Sequence, residues 1–377
     1  MFSFIFKTLI LQKRPIHLET NLVRFLQTLP VTNTTSSKPT DQQPLTVSYL
    51  TNSCGLSLEK AISASKEFKI ENTEKPDSVL RLLASHGCNK SHIARLISKN
   101  PRIVLADPEK NLKPKIEYFQ SLGVSGSDLP ALLSSARSVL ATSLKNQIMP
   151  FIDFLKGFLQ TDDNLTRALL KVSLVIGRNF EKIIVPNINT LRAYGVPEPH
   201  IVKLFLLAPR SFLLRFDLFE KRVDAIEKMG FEPTSKSFTL AVRSMATISK
   251  SNWEKKKEIL INLGWSEDEF YFAFKRQPLF VLTSGKKIEI LMDFFVEKLG
   301  LKPSYIVRRP NLLLFSLEGR IIPRWSVIKV LKSKKLLEKD VDVGLYLAVN
   351  SKQFEKKFVI PYMDKTPEVM RAYQGGA

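Results

Sequence analysis

The sequence predicts an all-α protein made of tandem helical units. Three observations support this. A proline-led apolar motif recurs at near-constant spacing, a glycine precedes it at a fixed distance, and the segments between them carry apolar residues three and four positions apart. Because such a unit cannot bury its own apolar face, neighbouring units must stack to cover it. We therefore expect an α-solenoid, right- or left-handed, with a continuous core.

The repeat is clearest in its prolines. Four copies of the motif read NPRIVL, APRSFL, QPLFVL and RPNLLL, with prolines Pro101, Pro209, Pro278 and Pro310. Three weaker copies keep the spacing without a proline, at Ala136, Val172 and Ser244. These seven positions, which we call the anchors, follow one another at intervals of 32 to 37 residues. Prolines placed by chance would not keep that period, so the anchors define seven units.

A glycine supports the same register. Gly87, Gly195, Gly230 and Gly264 lie 14 residues before an anchor, and Gly123 lies 13 before one. Glycine ends a helix readily because the residue after a helix often adopts positive φ. A polar stretch such as NKS or SED should then cap the first helix of the unit, which runs up to the anchor.

The anchor proline should end this first helix, because it lacks an N–H group and restricts the residue before it. The apolar residues that follow, such as Ile103–Leu105, are expected to fill the core. A second helix comes next, often entered through an acidic residue: Glu109, Glu181 or Glu318. It carries a second proline at Pro114, Pro150, Pro186 or Pro323. Such a proline either lies early in the helix or kinks it, and the sequence leaves both arrangements open.

The first 40 residues read as an organelle targeting presequence and linker, ahead of a repeat array over residues 55–375. No acidic residue precedes Glu19, and Phe, Leu and Ile are mixed with Lys and Arg. The apolar stretch 1–12 is short and interrupted by Lys7, so it should not span a bilayer. A secretory signal is the other candidate, but no small-residue cleavage site follows the apolar run.

The charge of the chain favours a polyanionic partner. The formal net charge is +21, which creates a positive field suited to nucleic acid. The alternative is a basic protein whose lysines are simply solvated. The two cysteines imply no disulfide framework and fit a reducing compartment best.

Arginines at or beside the anchors are the candidate nucleic-acid-binding residues. Three directly follow an anchor (Arg102, Arg137, Arg210), two precede one (Arg276, Arg309), and three more crowd the last unit (Arg308, Arg320, Arg324). Bases at one repeat position fall on one side of a solenoid, and guanidinium groups suit phosphate. The alternative is that these arginines cap helix C-termini, where cations are favoured. The basic helix from Arg324 to Lys335 is either a phosphate-binding edge or an ordinary solvated face.

Catalysis finds no support in the sequence. The SGKK stretch at Ser284–Lys287 lacks the glycine spacing of a phosphate loop, and no G-x-S-x-G or HExxH motif occurs. We expect no enzymatic activity, no catalytic residue, no metal site and no cofactor. Most phenylalanines lie at helical apolar spacing, so core packing is favoured over base stacking.

The proline-led apolar repeat resembles that of the mTERF family, the mitochondrial transcription termination factors and their plant relatives. The stretch KPDSVLRLLASHGCNKSHIARLISKNPRIVL is similar to the opening repeats of the plant branch, and KKFVIPYMDKTPEVMRAYQGG to its C-terminal tail. The resemblance spans roughly residues 55–375. The sequence departs from the family pattern at Ala136, Val172 and Ser244, where the proline is missing.

The resemblance implies a curved superhelix with a basic concave groove that binds nucleic acid in an organelle. Double-stranded DNA is favoured, with a role in transcription termination or in regulating organellar gene expression. Structured RNA, in intron splicing or RNA processing, is the alternative, and a protein-interaction scaffold is a further one. Other organellar gene-expression proteins are possible partners of what we expect to be a monomer. The Phe- and Leu-rich leader favours the mitochondrion over the chloroplast.

Overall fold

The computed structural model describes residues 44–135, 139–159, 165–337, 341–364 and 366–375. Residues Leu45–Ala377 form one compact unit, which begins earlier than the expected array boundary at residue 55. The expected presequence and linker, and Arg137 among the candidate arginines, lie outside the described residues. Every regular element in the described part of the chain is helical, which confirms the predicted fold class.

The helices are numbered here in chain order. They are α1 (Leu45–Asn52), α2 (Leu58–Ser65), α3 (Glu74–Ser85), α4 (Lys90–Lys99), α5 (Lys113–Ser121), α6 (Asp128–Ser135), α7 (Met149–Leu159), α8 (Leu165–Val172), α9 (Phe180–Ala193), α10 (Glu198–Leu207), α11 (Phe216–Lys228), α12 (Lys236–Thr247), α13 (Lys250–Asn262), α14 (Glu267–Arg276), α15 (Gly285–Asp293), α16 (Pro303–Arg308), α17 (Ile322–Ser333), α18 (Val343–Ala348), α19 (Ser351–Phe354) and α20 (Pro367–Tyr373). Short 3₁₀ turns cover Pro101–Leu105, Val139–Ala141, Pro209–Leu213, Pro278–Leu282 and Pro310–Leu314.

Each anchor proline starts a 3₁₀ turn whose apolar side chains are buried in the core. In the first unit, α4 ends just before Pro101, and the turn that follows buries Ile103 and Val104 while Leu105 stays half-buried. The same pattern recurs at Pro278, where Phe280 and Val281 are buried. The proline therefore ends the first helix and turns two apolar residues inward, as predicted.

The helices stack in two layers. The first helices of successive units pack against one another in the order α4, α6, α8, α10, α12, α14 and α16. Second helices of neighbouring units also pack together, as α9 does with α11 and α13 with α15. The 3₁₀ turns pack against the first helix of their own unit and against helices of neighbouring units. This arrangement is the stacked helical repeat that the period predicted.

Aromatic side chains carry the core from one unit to the next. The rings of Phe158 and Phe205 lie 5.5 Å apart between centroids, those of Phe205 and Phe212 lie 5.4 Å apart, and those of Phe212 and Phe219 lie 5.9 Å apart. All four are buried. Full burial of one such ring contributes about 1.5–3 kcal/mol, so this continuous chain of rings stabilises the stacking of the units.

The anchor at Ser244 departs from this pattern because it lacks the proline. Here α12 continues past the anchor to Thr247 without forming a 3₁₀ turn. The fully buried Ser244 hydroxyl donates to the carbonyl oxygen of Pro278, the next anchor, over 2.9 Å. A serine can stay inside a helix since it keeps its N–H group, and here its side chain links two neighbouring anchors.

The second prolines follow a wider helical turn in three of four units. Pro114, Pro150 and Pro323 are each the second residue of an α-helix that directly follows a π-helical turn: Pro108–Leu112, Leu144–Ile148 and Leu317–Ile321, respectively. A proline ring clashes with the carbonyl four residues earlier in a regular helix, and i→i+5 bonding widens the turn before it. Pro186 instead lies inside α9.

Side-chain caps start these second helices, and the acidic residues expected at the entry follow them in the first turn. Asp107, Asn179 and Ser316 accept the backbone N–H of the residue three positions on. Glu109, Glu181 and Glu318 lie two residues after these caps, where a carboxylate favours the positive end of the helix dipole.

No helix in the described part of the chain has the length and apolar character that crossing a bilayer requires.

The glycines that precede the anchors adopt positive φ, as predicted, from 78° at Gly230 to 93° at Gly264. At Gly264 the backbone N–H donates to Ile261, and the N–H of Trp265 donates to Leu260 at 3.0 Å. A Cβ on Gly264 would also lie 3.2 Å from Cγ of Pro303 in the next unit. This position therefore needs glycine both for its backbone conformation and for close packing.

Replacing Gly264 by Ala should lower the free energy of unfolding by at least about 1 kcal/mol, because alanine is strained at positive φ. The matched control is Gly157→Ala inside α7, where a Cβ meets nothing within 4 Å and φ is not positive. That change should stabilise the protein by up to about 1 kcal/mol. Urea denaturation followed by circular dichroism compares the two, and the same sign of change for both variants would contradict the assignment.

The two cysteines should be unreactive in the folded protein. Burial raises the pKa of Cys54 to about 12, with a smaller contribution from Asp77, and burial raises the pKa of Cys88 to about 11. Both thiols thus stay protonated at pH 8.5, where an unfolded thiol is about half ionised. A chromogenic disulfide reagent should label neither cysteine in native protein and both in denaturant. Stability should also fall as pH rises above about 8.5, because the unfolded thiols then release protons that the folded ones keep. Rapid labelling of the native protein would contradict this.

Candidate nucleic-acid interface

Where a first helix ends and the chain reverses, backbone carbonyls are left without helical partners, and at several of these reversals polar side chains of the preceding unit bind them. Two examples define this contact: Lys287 donates to the carbonyl of Leu314 over 3.0 Å, and the amide of Asn187 donates to those of Phe212 and Leu214 over 3.0 and 2.8 Å. We call the side chains that make this contact the clamp residues. They are Lys99, Lys115, Asn187, Arg222, Lys287, Arg320 and Arg324.

The clamp side chains are partly or fully removed from solvent. Desolvation lowers the pKa of Lys115 and that of Arg222. Lys115 donates to Leu140 and to Asn111, and Arg222 donates to the carbonyl of Met245. An unsatisfied buried carbonyl costs about 1–3 kcal/mol, so these cations serve the stacking of units.

Arg320 and Arg324 form the largest clamp, at the end of α18. Nε and Nη2 of Arg320 donate to Leu347, Ala348 and Val349 over 2.7 to 2.9 Å, and its guanidinium lies 3.9 Å from the ring centroid of Phe315. Nη1 of Arg324 donates to Tyr346 and Leu347 over 3.1 and 3.0 Å, and to Val349. Burial, and then the neighbouring charge of Arg320, lower the pKa of Arg324 to about 10.

The assignment of Arg324 to a phosphate-binding stripe is corrected by this geometry. Its side chain is 2% exposed and lies over the ring of Phe354 at 4.8 Å, so phosphate has no access to it. The C-terminal capping alternative applies to Arg324, because the carbonyls that it binds belong to the last turn of α18 and the residue after it. Arg320 donates to the same turn.

Arg309 and Arg102 are also engaged, although they remain accessible. Arg309 pairs with Asp342 over 2.9 Å and lies 4.7 Å from the ring centroid of Tyr305. Arg102 donates to the carbonyl of Glu67 over 2.8 Å and lies 3.8 Å from its carboxylate, with 63% of its side chain exposed. Exposed pairs of this kind contribute little to stability, and an anion can compete for both arginines.

Arg210, Arg276 and Arg308 are exposed and lack a carboxylate partner within the described residues. Arg276 lies 5.7 Å from the ring centroid of Phe272, which is itself exposed. Arg210 follows Pro209 in the 3₁₀ turn, and Arg308 ends α16. These three guanidinium groups are the candidates whose charge no neighbouring side chain neutralises.

Basic and acidic residues are concentrated in different segments of each unit. The segments from three residues before each anchor to thirteen after it hold 25 Lys and Arg against 8 Asp and Glu. The six segments between them hold 9 against 15. The first set forms the end of each first helix, the turn and the start of each second helix, and we call it the anchor edge. Stacking aligns these segments, so the excess of bases lies along one edge of the array.

Sequence reasoning missed the bases at the start of the second helices. Lys110, Lys145 and Lys182 lie nine or ten residues after an anchor, and Arg178, Arg215 and Lys250 lie six after one. All six are exposed. Arg215 pairs with Asp217 over 3.2 Å. For the other five, helix stability offers no explanation, since cations at a helix N-terminus oppose its dipole. Their constant offset from the anchors was the signal that could have found them.

The described residues hold no group of three or more His, Cys, Asp or Glu side chains placed to bind a metal ion. The arrangement of the anchor edge suits binding of polyanions through phosphate contacts.

Replacing Arg324 by Met should destabilise the protein by about 1–3 kcal/mol, because the buried carbonyl of Tyr346 loses its side-chain donor and those of Leu347 and Val349 keep only Arg320. Arg308→Met is the matched control and should change stability by less than about 0.5 kcal/mol, since the side chain is exposed and unpaired. Urea denaturation midpoints measure both. Equal stability of the two variants would show that the clamp contributes nothing.

The chain also matches known proteins. A family model described as mTERF matches residues 80–246 and 236–355. "Transcription termination factor MTERF15, mitochondrial" from Arabidopsis thaliana is 23% identical over 304 residues, covering 80% of this chain and 58% of the relative.

Two other relatives from the same plant are similar. "Transcription termination factor MTERF8, chloroplastic" is 21% identical over 69% of this chain and 51% of its own length. "Transcription termination factor MTEF18, mitochondrial" is 22% identical over 73% and 53%. The chain thus spans little more than half the length of these relatives. The family model covers well over half of the chain and encloses all seven anchors, and the chain therefore belongs to the mTERF family.

Proposed function

We propose that this protein binds nucleic acid in an organelle and acts, without enzymatic activity, in transcription termination or in the regulation of organellar gene expression. Double-stranded DNA is the favoured ligand. The bases of the anchor edge neutralise backbone phosphates, and the stacked units present them as a continuous groove.

The segregation of charge carries this proposal. Four of the 25 bases in the anchor segments are clamp residues (Lys99, Arg222, Lys287 and Arg320). The other 21 still outnumber the 8 acids there, a distribution that solubility alone does not require. The bases at the second-helix N-termini strengthen the point, because they oppose the helix dipole. Phosphate contacts of this kind give affinity with little sequence information.

Duplex DNA fits this edge because backbone contacts require no unpaired bases. The names of the three relatives, all transcription termination factors, support a role at a transcribed template. Two of those relatives are named as mitochondrial and one as chloroplastic. We propose the mitochondrion for this chain, on the composition of its leader.

The test reverses three charges on the anchor edge: Arg210→Glu, Arg276→Glu and Arg308→Glu together. Retention of a DNA duplex should fall steeply, and the slope of log affinity against log salt should shrink by about 2–3, because each lost phosphate contact removes about 0.9. Fluorescence anisotropy at several salt concentrations measures both quantities.

The matched control makes the same charge change on the other segments: Lys156→Glu, Lys236→Glu and Lys298→Glu. These lysines are exposed, and no described carboxylate pairs with them. Affinity should fall much less in this variant. Equal losses in the two variants would mean that only net charge matters. A wild-type DNA affinity that does not change with salt concentration, or an unchanged affinity in the first variant, would favour a protein-interaction scaffold instead.

A further inference from the structure

A cleft between α17 and the C-terminal helix α20 is not explained by the anchor edge. It is lined by Trp325, Ser326, Lys329, Ser333, Glu368 and Arg371, among others, and its volume is about 670 Å³. Pockets for small ligands commonly measure about 300–1,000 Å³, so this cleft has room for a nucleotide.

The cleft exists because α17 has more apolar surface than the core covers. Val327, Ile328 and Leu331 are buried, whereas Trp325 and Val330 are only half-buried and face the cleft. The other two tryptophans are enclosed: Trp253 is 8% exposed and Trp265 is 3% exposed. Trp325 is thus the tryptophan whose ring a ligand can reach.

Phe294 and Lys329 hold the ring of Trp325 in place. The Phe294 ring packs against it at 87° with 5.6 Å between centroids, and Nζ of Lys329 lies 5.2 Å from its centroid. Nζ of Lys329 lies over the ring, but the side chain is exposed and flexible, so it can leave the ring when a base stacks there and pair with the phosphate of that nucleotide.

The charges of the cleft favour an anion. Nζ of Lys334 lies 3.3 Å from Oε1 of Glu368, so the carboxylate on the cleft wall is already neutralised. The Glu368 backbone N–H, and then Lys334, lower the pKa of that carboxyl, which keeps the pair ionised. Lys329 and Arg371 are exposed and have no carboxylate within 4 Å among the described residues. Two cations therefore remain available beside the tryptophan.

Lys335, two residues after the end of α17, has a backbone conformation that is unusual for lysine. Its φ is 55°, and it is the one residue other than glycine with positive φ in the described part of the chain. Earlier units place glycine at this position after the second helix, for example Gly264. A lysine there costs roughly 1 kcal/mol of backbone strain.

We propose that this cleft binds an unpaired nucleotide of a single-stranded nucleic acid, with its base stacked on Trp325 and its phosphates paired with Lys329 and Arg371. The inference rests on the proposed nucleic-acid function and adds a second mode of contact to it. The anchor edge binds the phosphates of a duplex, whereas the cleft binds a base that a duplex does not expose.

The test uses the fluorescence of the full chain titrated with a short oligothymidylate at low salt. Emission should be quenched, because Trp325 is the accessible tryptophan. Trp325→Leu should abolish the quench and weaken oligothymidylate binding by about 5- to 100-fold, the effect of losing one base stack. Trp325→Phe should abolish the quench but keep most of the affinity, since a phenyl ring still stacks.

Three controls make the outcome decisive. Duplex binding by Trp325→Leu should match wild type, and emission from Trp253 and Trp265 should confirm that the variant is folded. Lys329→Gln with Arg371→Gln should weaken oligothymidylate binding and reduce its salt slope by about 1–2. Polyglutamate, a polyanion without bases, should neither quench Trp325 nor compete well.

Two results would overturn the cleft assignment: no quench of wild-type emission by oligothymidylate, or undiminished affinity in Trp325→Leu. Effective competition by polyglutamate would indicate an acidic peptide site and would overturn it as well. These outcomes are separate from failure of the proposed function, which would appear as loss of duplex binding by the wild-type protein in the parallel titration.

Discussion

The need to satisfy backbone carbonyls at each chain reversal governs the rest of the structure. A proline or an equivalent break ends the first helix of a unit, and carbonyls of its last turn and of the 3₁₀ turn after it lack helical donors. The clamp residues of the preceding unit supply new donors, from Lys99 near the start to Arg324 at the end. The same contact closes the helix and fixes the neighbouring unit against it, so unit geometry and stacking have one cause.

This constraint divides the bases of a very basic chain into two groups. Buried or half-buried cations, such as Arg222 and Arg324, act as donors inside the array. Some exposed cations on the anchor edge, Arg210 and Arg308 among them, make no ion pair with a described residue. A basic side chain next to an anchor can thus belong to either group, and its neighbours across the unit boundary decide which. Charge alone is therefore a poor guide to the interface, whereas charge combined with exposure and pairing is a better one.

The two proposed contacts use different chemistry on different surfaces. The anchor edge offers exposed cations at a regular spacing along the array, which suits the backbone of a paired nucleic acid. The cleft beside Trp325 offers one ring with two cations, which suits a base that has left its pair. A protein with both surfaces would bind most tightly where duplex and single strand meet, because both contacts are then made at once.

The sequence by itself determined the period, the helix ends and the core. Anchor prolines, the glycines before them and the apolar spacing are local properties, since each acts through the backbone or helix face of its own segment. Gly264 and the residues behind Pro101 accordingly lie where the sequence placed them. Whether the second prolines lie early in their helices or kink them could not be predicted from the sequence. The π-helical turn before Pro114 depends on how its cap and the neighbouring unit hold the backbone.

Only the tertiary structure decided which arginines are available to a ligand. Arg210 and Arg324 look alike in sequence, since both lie within fifteen residues of an anchor proline. One is exposed and the other is 2% exposed under α18. The difference comes from contacts between residues more than twenty positions apart, such as Arg324 with Tyr346, which no local pattern encodes. Chain periodicity fixes where a side chain lies in its unit, and the packing of the next unit fixes what that side chain can do.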